Sequence, residues 1–219
     1  MYLGKQIWRR LNKYSEWISG KVSASTVREK VQEMIAPYGA SVIVKLQKSF
    51  GKRGWFMIGG LFDASVTRKQ ITIDIHLRED KGYIYFTERR KNRFLFLLSQ
   101  TLQHELVHKL QFTNRGSDNF YTHHYYFTPG SSKSSPAKME YLAMVEEIDA
   151  YAHDLALEIK FYYPYDDYKQ VLKHINDYAE LETWKMYKRT FKKARWMHVR
   201  NELLRKTYRW LPTIKENYQ

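Results

Sequence analysis

The run QHELVHK, residues 103–109, contains two histidines and a glutamate, whose side chains can bind a metal or transfer a proton. His104 and His108 are four residues apart, so on a helix their imidazoles share one face and can reach a single metal ion. Glu105 follows the first histidine, where its carboxylate can take a proton from a metal-activated water rather than bind the metal. The spacing therefore predicts a site for one Zn²⁺ ion, with Glu105 as general base.

The sequence around this motif favours a helix. From about residue 88 to residue 112 the chain has the pattern of one long helix, with Thr87 as a candidate cap. Leu102, Leu106 and Leu110 recur every four residues and are expected to form a buried stripe beside the histidines.

Two histidines are too few to hold zinc, and two downstream regions could supply a third ligand. One is a helix predicted from about 138 to 160, where Glu146 and Glu147 stand near small alanines that would allow close helix packing. Adjacent helical residues point about 100° apart, so only one of these glutamates can face the metal. The other region is a polar loop that contains His123 and His124.

The motif HELVH, followed some forty residues later by EEIDAYA, resembles the glutamate-ligand zincins, or gluzincins. It is also similar to the small HExxH-plus-EIxAYA metallopeptidase-like proteins of phages and bacteria. The likeness covers two helices, roughly 92–112 and 138–156. It implies a zincin-like fold, one zinc held by His104, His108 and Glu147, and hydrolysis of peptide bonds in a protein or peptide substrate.

Within this resemblance, the position of Ala150 selects the metal-binding glutamate. Glu147 has Ala150 three residues later, as the family pattern requires, and Glu146 is the alternative. The resemblance also implies that Asp149 or Asp154 orients one of the histidines.

The stretch from His104 to Phe127 resembles a second family, the Spartan-like proteases, which cut proteins crosslinked to DNA. There a third histidine follows the pair at a comparable distance, which implies His123 as the ligand. His124 stands where that family usually has glycine. The metzincin extension is excluded, because Gln111 and Asn114 occupy the positions that need Gly and His.

The composition limits what else the chain can do. Of its 219 residues 43% are hydrophobic, enough for a core, and none is cysteine, so a metal can bind only to His, Asp or Glu. The N-terminus lacks the apolar stretch of a signal peptide, and the longest apolar run, Phe94–Leu98, is too short to span a bilayer. We therefore expect a protein that does not enter membranes and is cytoplasmic or packaged in a virus particle.

The chain carries a net charge of +14, from 37 Lys and Arg against 23 Asp and Glu, with much of the excess in the last third. The run from Trp184 to Trp196 interleaves basic and aromatic residues, which could contact nucleic acid or an acidic partner. The alternative is an amphipathic helix with its aromatic side chains packed inward. A different functional class also follows from this region: a structural or nucleic-acid-binding protein, such as a virus particle component, that retains a zincin fold.

The order of predicted elements gives the fold class. Helical sequence precedes four candidate strands, at 41–46, 55–58, 70–77 and 83–86, and helices follow to the end. Five glycines are interpreted as turn residues: Gly51, Gly54, Gly59, Gly60 and Gly82. We predict an α+β zincin-like domain at 38–160, with a small mixed sheet packed on the HExxH helix and a second ligand-bearing helix. It is flanked by an N-terminal helical segment, 1–37, and a basic helical region, 161–219. The substrate is expected along an edge strand, either 70–77 or 83–86.

Overall fold

The structure is a computed structural model that describes residues 7–47, 56–64, 70–78, 83–115 and 136–214. These residues belong to two compact units, one within 7–122 and the other from 123 onward. Helices combined with small sheets confirm the predicted α+β class. None of the helices in the described ranges is long and apolar enough to cross a membrane.

The first unit has three helices: α1 Ile7–Lys13, α2 Ala24–Ile35 and α3 Glu88–Arg115. Ser23 caps α2, because its hydroxyl accepts a hydrogen bond from the Thr26 amide at 3.1 Å, an interaction that contributes about 1 kcal/mol. A 3₁₀ turn at Ala36–Tyr38 follows α2 and ends at Gly39, whose φ of 70° suits a residue without a side chain.

The strands of this unit are β1 Gly20–Ser23, β2 Ala40–Gln47, β3 Phe56–Asp63, β4 Gln70–Arg78 and β5 Tyr83–Phe86. The four predicted strands are confirmed as β2 to β5. The prediction that residues 1–37 are helical is wrong at β1, which pairs antiparallel with β5 in a two-stranded sheet. A four-residue strand has too little alternation to be recognised without its partner.

A three-stranded mixed sheet forms the base of the unit, in the order β2–β4–β3. β2 runs parallel to β4, and β3 runs antiparallel to it. Ile71, Ile73 and Ile75 alternate along β4 and are fully buried, as the two-residue period of a strand requires. The expectation that 70–77 is an edge strand is wrong, because β4 is central and β2 and β3 form the edges. β5 belongs to the other sheet.

Helix α3 packs against β3 and carries the HELVH motif. Thr87 caps it as predicted, since its hydroxyl accepts a hydrogen bond from the Arg90 amide at 3.3 Å. Of the predicted leucine stripe only Leu102 is fully buried, whereas Leu106 and Leu110 are half-buried. The buried face of α3 therefore lies partly elsewhere on the helix; its apolar members are Phe94, Leu95, Phe96, Leu98, Leu102, Val107 and Phe112.

The second unit is helical: α4 Pro136–Leu142, α5 Val145–Tyr162, α6 Tyr168–Lys173, α7 Glu182–Thr190 and α8 Lys193–Trp210, with a 3₁₀ turn at Ile175–Asp177. The helix predicted from 138 to 160 is two helices, because the chain turns at Ala143 and Met144. α5 is the central helix, and every residue from Ala152 to Ile159 is buried.

Two polar contacts connect α5 to the helices around it. The buried carboxylate of Glu158 accepts hydrogen bonds from the Thr183 amide, at 3.1 Å, and from the Thr183 hydroxyl, at 2.8 Å, at the start of α7. The Asp149 carboxylate accepts a hydrogen bond from Trp210 Nε1 at 3.2 Å and lies 3.3 Å from the Lys206 ammonium, both on α8. These contacts satisfy buried and half-buried polar groups where α7 and α8 meet α5.

Candidate metal centre

The two histidines of the motif lie together on α3, as their spacing predicts. The Nε2 atoms of His104 and His108 are 3.1 Å apart, and both side chains are buried. Two nitrogen ligands on one tetrahedral zinc ion, each at about 2.05 Å, would be separated by roughly 3.3 Å. The imidazole pair therefore has the spacing of a chelate without any rearrangement of α3.

Gln111 fixes the orientation of the second histidine. Its side-chain Oε1 lies 3.0 Å from His108 Nδ1, and both groups are buried. An amide oxygen can only accept, so Nδ1 carries the proton and Nε2 keeps the lone pair that a metal requires. In the sequence, Gln111 served only to exclude the metzincin pattern. A polar residue one turn after His108 was the signal that could have identified this role.

Glu147 joins the two histidines in a buried group that could hold a metal ion. One ligand atom from each of His104, His108 and Glu147 lies within 4.8 Å of the others. Glu146, the alternative, is half-buried and is not part of this group. The donor set of two imidazoles and one carboxylate fits a borderline-soft divalent ion such as zinc.

Glu105 is buried next to the first histidine and lies directly against strand β3. A Cβ atom built on Gly60 would be 2.7 Å from both Cγ and Oε1 of Glu105 and 2.9 Å from Cγ2 of Thr101. Carbon atoms in contact normally stay about 3.5–4.0 Å apart. The missing side chain at Gly60 therefore provides the space that Glu105 occupies.

The interpretation of Gly59 and Gly60 as turn residues is wrong, because both lie inside β3. Apolar residues flank the pair on either side, as in a strand that continues through it. A glycine within a strand often marks a close approach of the backbone to another group. That signal was present in the sequence, but only the structure identifies Glu105 as the group.

The two aspartates expected to orient a histidine lie in different surroundings. Asp149 contacts Trp210 and Lys206 on α8, which assigns it to the packing of the second unit. Asp154 is buried two turns after Glu147 on the same helix, so their side chains share a face of α5.

Tyr187 lies near these carboxylates and was not singled out by sequence analysis. Its hydroxyl donates a hydrogen bond to the Leu142 carbonyl at 3.1 Å, at the end of α4. Burial raises the pKa of Tyr187 well above its ordinary value, with further contributions from Tyr151, Glu147 and Asp154. The phenol therefore stays neutral and remains a hydrogen-bond donor beside the start of α5.

His123 and His124 lie outside the described residues, so the Spartan-like alternative for the third ligand stays a prediction. The glycines at 51, 54 and 82 also lie outside them. No family model matches the chain, and comparisons with curated proteins and with solved structures find no match. The likeness to zincins therefore depends on the motif residues and on the geometry of the metal centre.

Proposed function

We propose that this protein is a zinc-dependent metallopeptidase in which Glu105 is the general base. The observation that carries the proposal is the buried group formed by His104, His108 and Glu147, with Glu105 directly after the first ligand. Two histidines one turn apart, a glutamate between them and a third carboxylate form the donor set of the glutamate zincins.

His104 and His108 would bind the metal through Nε2, and Glu147 through a carboxylate oxygen. When bound, zinc lowers the pKa of a coordinated water toward neutrality and polarises the scissile carbonyl. Glu105 is outside the ligand group, and in this arrangement its carboxylate would act as the base. It would accept the proton of the attacking water and deliver it to the leaving amine.

Two residues outside the ligand group support this chemistry, because they position the side chains of His108 and Glu105. Gln111 keeps the Nδ1 proton on His108, so that Nε2 faces the metal. Gly60 lets the Glu105 carboxylate lie against β3. A general base contributes only when it is within hydrogen-bond reach of its proton, so this close packing favours activity.

The proposal is tested by measuring zinc per chain in purified wild type and in single alanine variants of Glu147, Glu146 and His123. We expect one zinc per wild-type chain, its loss with Glu147→Ala and its retention with Glu146→Ala, the matched control one residue away. Loss of zinc with His123→Ala alone would make His123 the third ligand in place of Glu147, as in the Spartan-like proteases. A wild type that binds no zinc would refute the proposal.

Casein cleavage tests the catalytic step separately from metal binding. Glu105→Gln keeps the size of the side chain and removes its basicity, so zinc should remain bound. We expect cleavage to fall by at least about 100-fold, within the range that general-base catalysis contributes. Equal cleavage by wild type and Glu105→Gln would show that Glu105 is not the base.

A further inference from the structure

The positive charge of the chain is concentrated in α7, α8 and the link between them. Residues 182–209 contain ten Lys and Arg against two Glu, a net +8 of the total +14. Five of these basic residues fall within residues 188–195, which contain no acidic residue. Four basic side chains of this stretch are exposed: Lys188, Arg189, Lys192 and Arg195. We name this set the basic corner.

Ion pairs within the fold account for other basic residues of this region but not for the basic corner. Lys185 pairs with Glu182 at 2.7 Å, and Arg205 pairs with Glu202 at 2.5 Å. Lys206 lies near the Asp149 carboxylate. Among the residues that the structure describes, no carboxylate lies within ion-pair distance of any member of the basic corner.

Helix stability explains only half of the basic corner. Lys188 and Arg189 are in the last turn of α7, where the helix dipole favours a positive charge. Lys192 is the N-cap of α8 and Arg195 is in its first turn, where the dipole disfavours a positive charge; that turn has no acidic residue. A local arrangement that opposes stability points to an external anion that compensates for it.

Aromatic side chains of the same stretch are occupied by packing. Trp184, Tyr187 and Phe191 are buried, and the rings of Trp184 and Trp196 lie 5.1 Å apart. The aromatic side chains pack inward, as the amphipathic interpretation expected, but the run from Trp184 to Trp196 is divided between α7 and α8 and is not one helix. The buried rings do not offer faces for stacking on bases. The exposed groups are cations, which recognise phosphates rather than sequence.

The solvent face of α8 continues this positive surface. At 100° per residue, Arg195 and Arg209 project within about 40° of each other, over a length of about 21 Å. Both are exposed. Another face of α8 is apolar and buried and includes Val199 and Leu203, each at most 1% exposed. Because that face is buried in the fold, α8 cannot insert it into a bilayer as a membrane-surface helix must.

We propose that the basic corner and the adjoining face of α8 bind the phosphate backbone of a nucleic acid without sequence specificity. The partner is recognised by its regularly spaced negative charges. The inference is independent of the metal centre and of the proposed peptidase activity, since it uses only residues of α7, α8 and their link.

The test is fluorescence anisotropy of the full-length protein with labelled 30-nucleotide single strands and 30-base-pair duplexes over a series of KCl concentrations. Lys188, Arg189, Lys192 and Arg195 are replaced together by Gln. We expect binding to weaken by at least about 100-fold near 0.1 M KCl, and the slope of log K against log[KCl] to lose about 3 units, as expected when four phosphate contacts are removed.

A charge-matched control replaces two other arginines and two other lysines, all exposed, by Gln: Arg9, Arg89, Lys169 and Lys173. We expect this variant to retain most of its affinity, and circular dichroism should show both variants folded. An equal loss in the control would overturn the proposal, because the binding would then reflect net charge alone. Stronger binding to phosphatidylserine vesicles or to polyglutamate than to either oligonucleotide would also overturn it, in favour of a membrane or an acidic protein.

Discussion

Replacing Gly60 by alanine tests directly how Glu105 is held. The new Cβ would meet Cγ and Oε1 of Glu105 at 2.7 Å and Cγ2 of Thr101 at 2.9 Å. Ordinary contact distances of about 3.5 Å or more require these groups to move by roughly 0.8 Å. We expect the overpacking to lower the free energy of unfolding by about 1–3 kcal/mol. If Glu105 is the general base, as we propose, a displacement of nearly 1 Å should also reduce cleavage by about 100-fold.

The matched control is Gly59→Ala, because successive residues of a strand point to opposite faces. Replacing glycine by alanine lowers the conformational entropy of the unfolded chain, which by itself stabilises a protein by about 0.4–1 kcal/mol. Because this effect is the same in both variants, it cancels when their stabilities are compared. Urea unfolding measures stability, and casein cleavage with zinc analysis measures activity.

A double-mutant cycle with Glu105→Ala makes the test independent of the enzyme hypothesis. Without the Glu105 side chain beyond Cβ, most of the clash disappears, and we expect Gly60→Ala to destabilise the protein by at least about 1 kcal/mol less. If Gly60→Ala is as harmful in the Glu105→Ala background as in the wild type, the close contact is not what holds Glu105 in place.

Three further predictions follow from buried polar groups. Gln111→Ala should weaken zinc binding by about 10–100-fold, measured by competition with a chelator, because the histidine loses the acceptor that fixes its Nδ1 proton. Glu158→Ala should lower the free energy of unfolding in urea by about 2–3 kcal/mol, since it removes a buried charged acceptor at the start of α7. Burial lowers the pKa of His76 below its ordinary value, with Asp74 opposing the shift and Lys45 adding to it. Below a pH of about 6.5 the unfolded chain therefore binds a proton that the folded protein excludes, so stability should fall as the pH falls, and His76→Gln should flatten this dependence in urea unfolding.

Each of these predictions has a control in the chain. Gln111→Glu keeps an acceptor for Nδ1 and should restore zinc affinity, and failure to do so would indicate a packing role. Glu180 is exposed near α7, so Glu180→Ala should change stability by less than about 0.5 kcal/mol; a similar loss in both variants would contradict the capping role. His174 is exposed and serves as the control for His76. If His174→Gln flattens the pH dependence of stability to the same extent, that dependence cannot be assigned to His76.

Local patterns in the sequence were sufficient for much of the first unit. The chelate of His104 and His108 follows from the four-residue spacing on a helix, and that helix was predicted with its cap at Thr87. Four strands were recognised from β-branched and aromatic runs. These features depend on a helical period of 3.6 residues or a strand period of 2 residues, and both periods are visible in the local sequence.

Tertiary structure decided which residues meet. It made β4 the central strand, and the group that could hold a metal ion includes Glu147 rather than Glu146. It also placed the Glu105 side chain against Gly60. These contacts join residues far apart in the chain, and their distances depend on how helices and strands pack.

In the basic C-terminal region, too, the sequence determined some features and the tertiary structure determined others. Sequence established the excess of positive charge and left two interpretations for its aromatic residues. Burial of Trp184, Tyr187 and Phe191 shows that these aromatic side chains pack inward, while basic side chains of the same stretch are exposed. Composition determines how much charge a chain carries, but only the folded structure determines which charges face water without a partner.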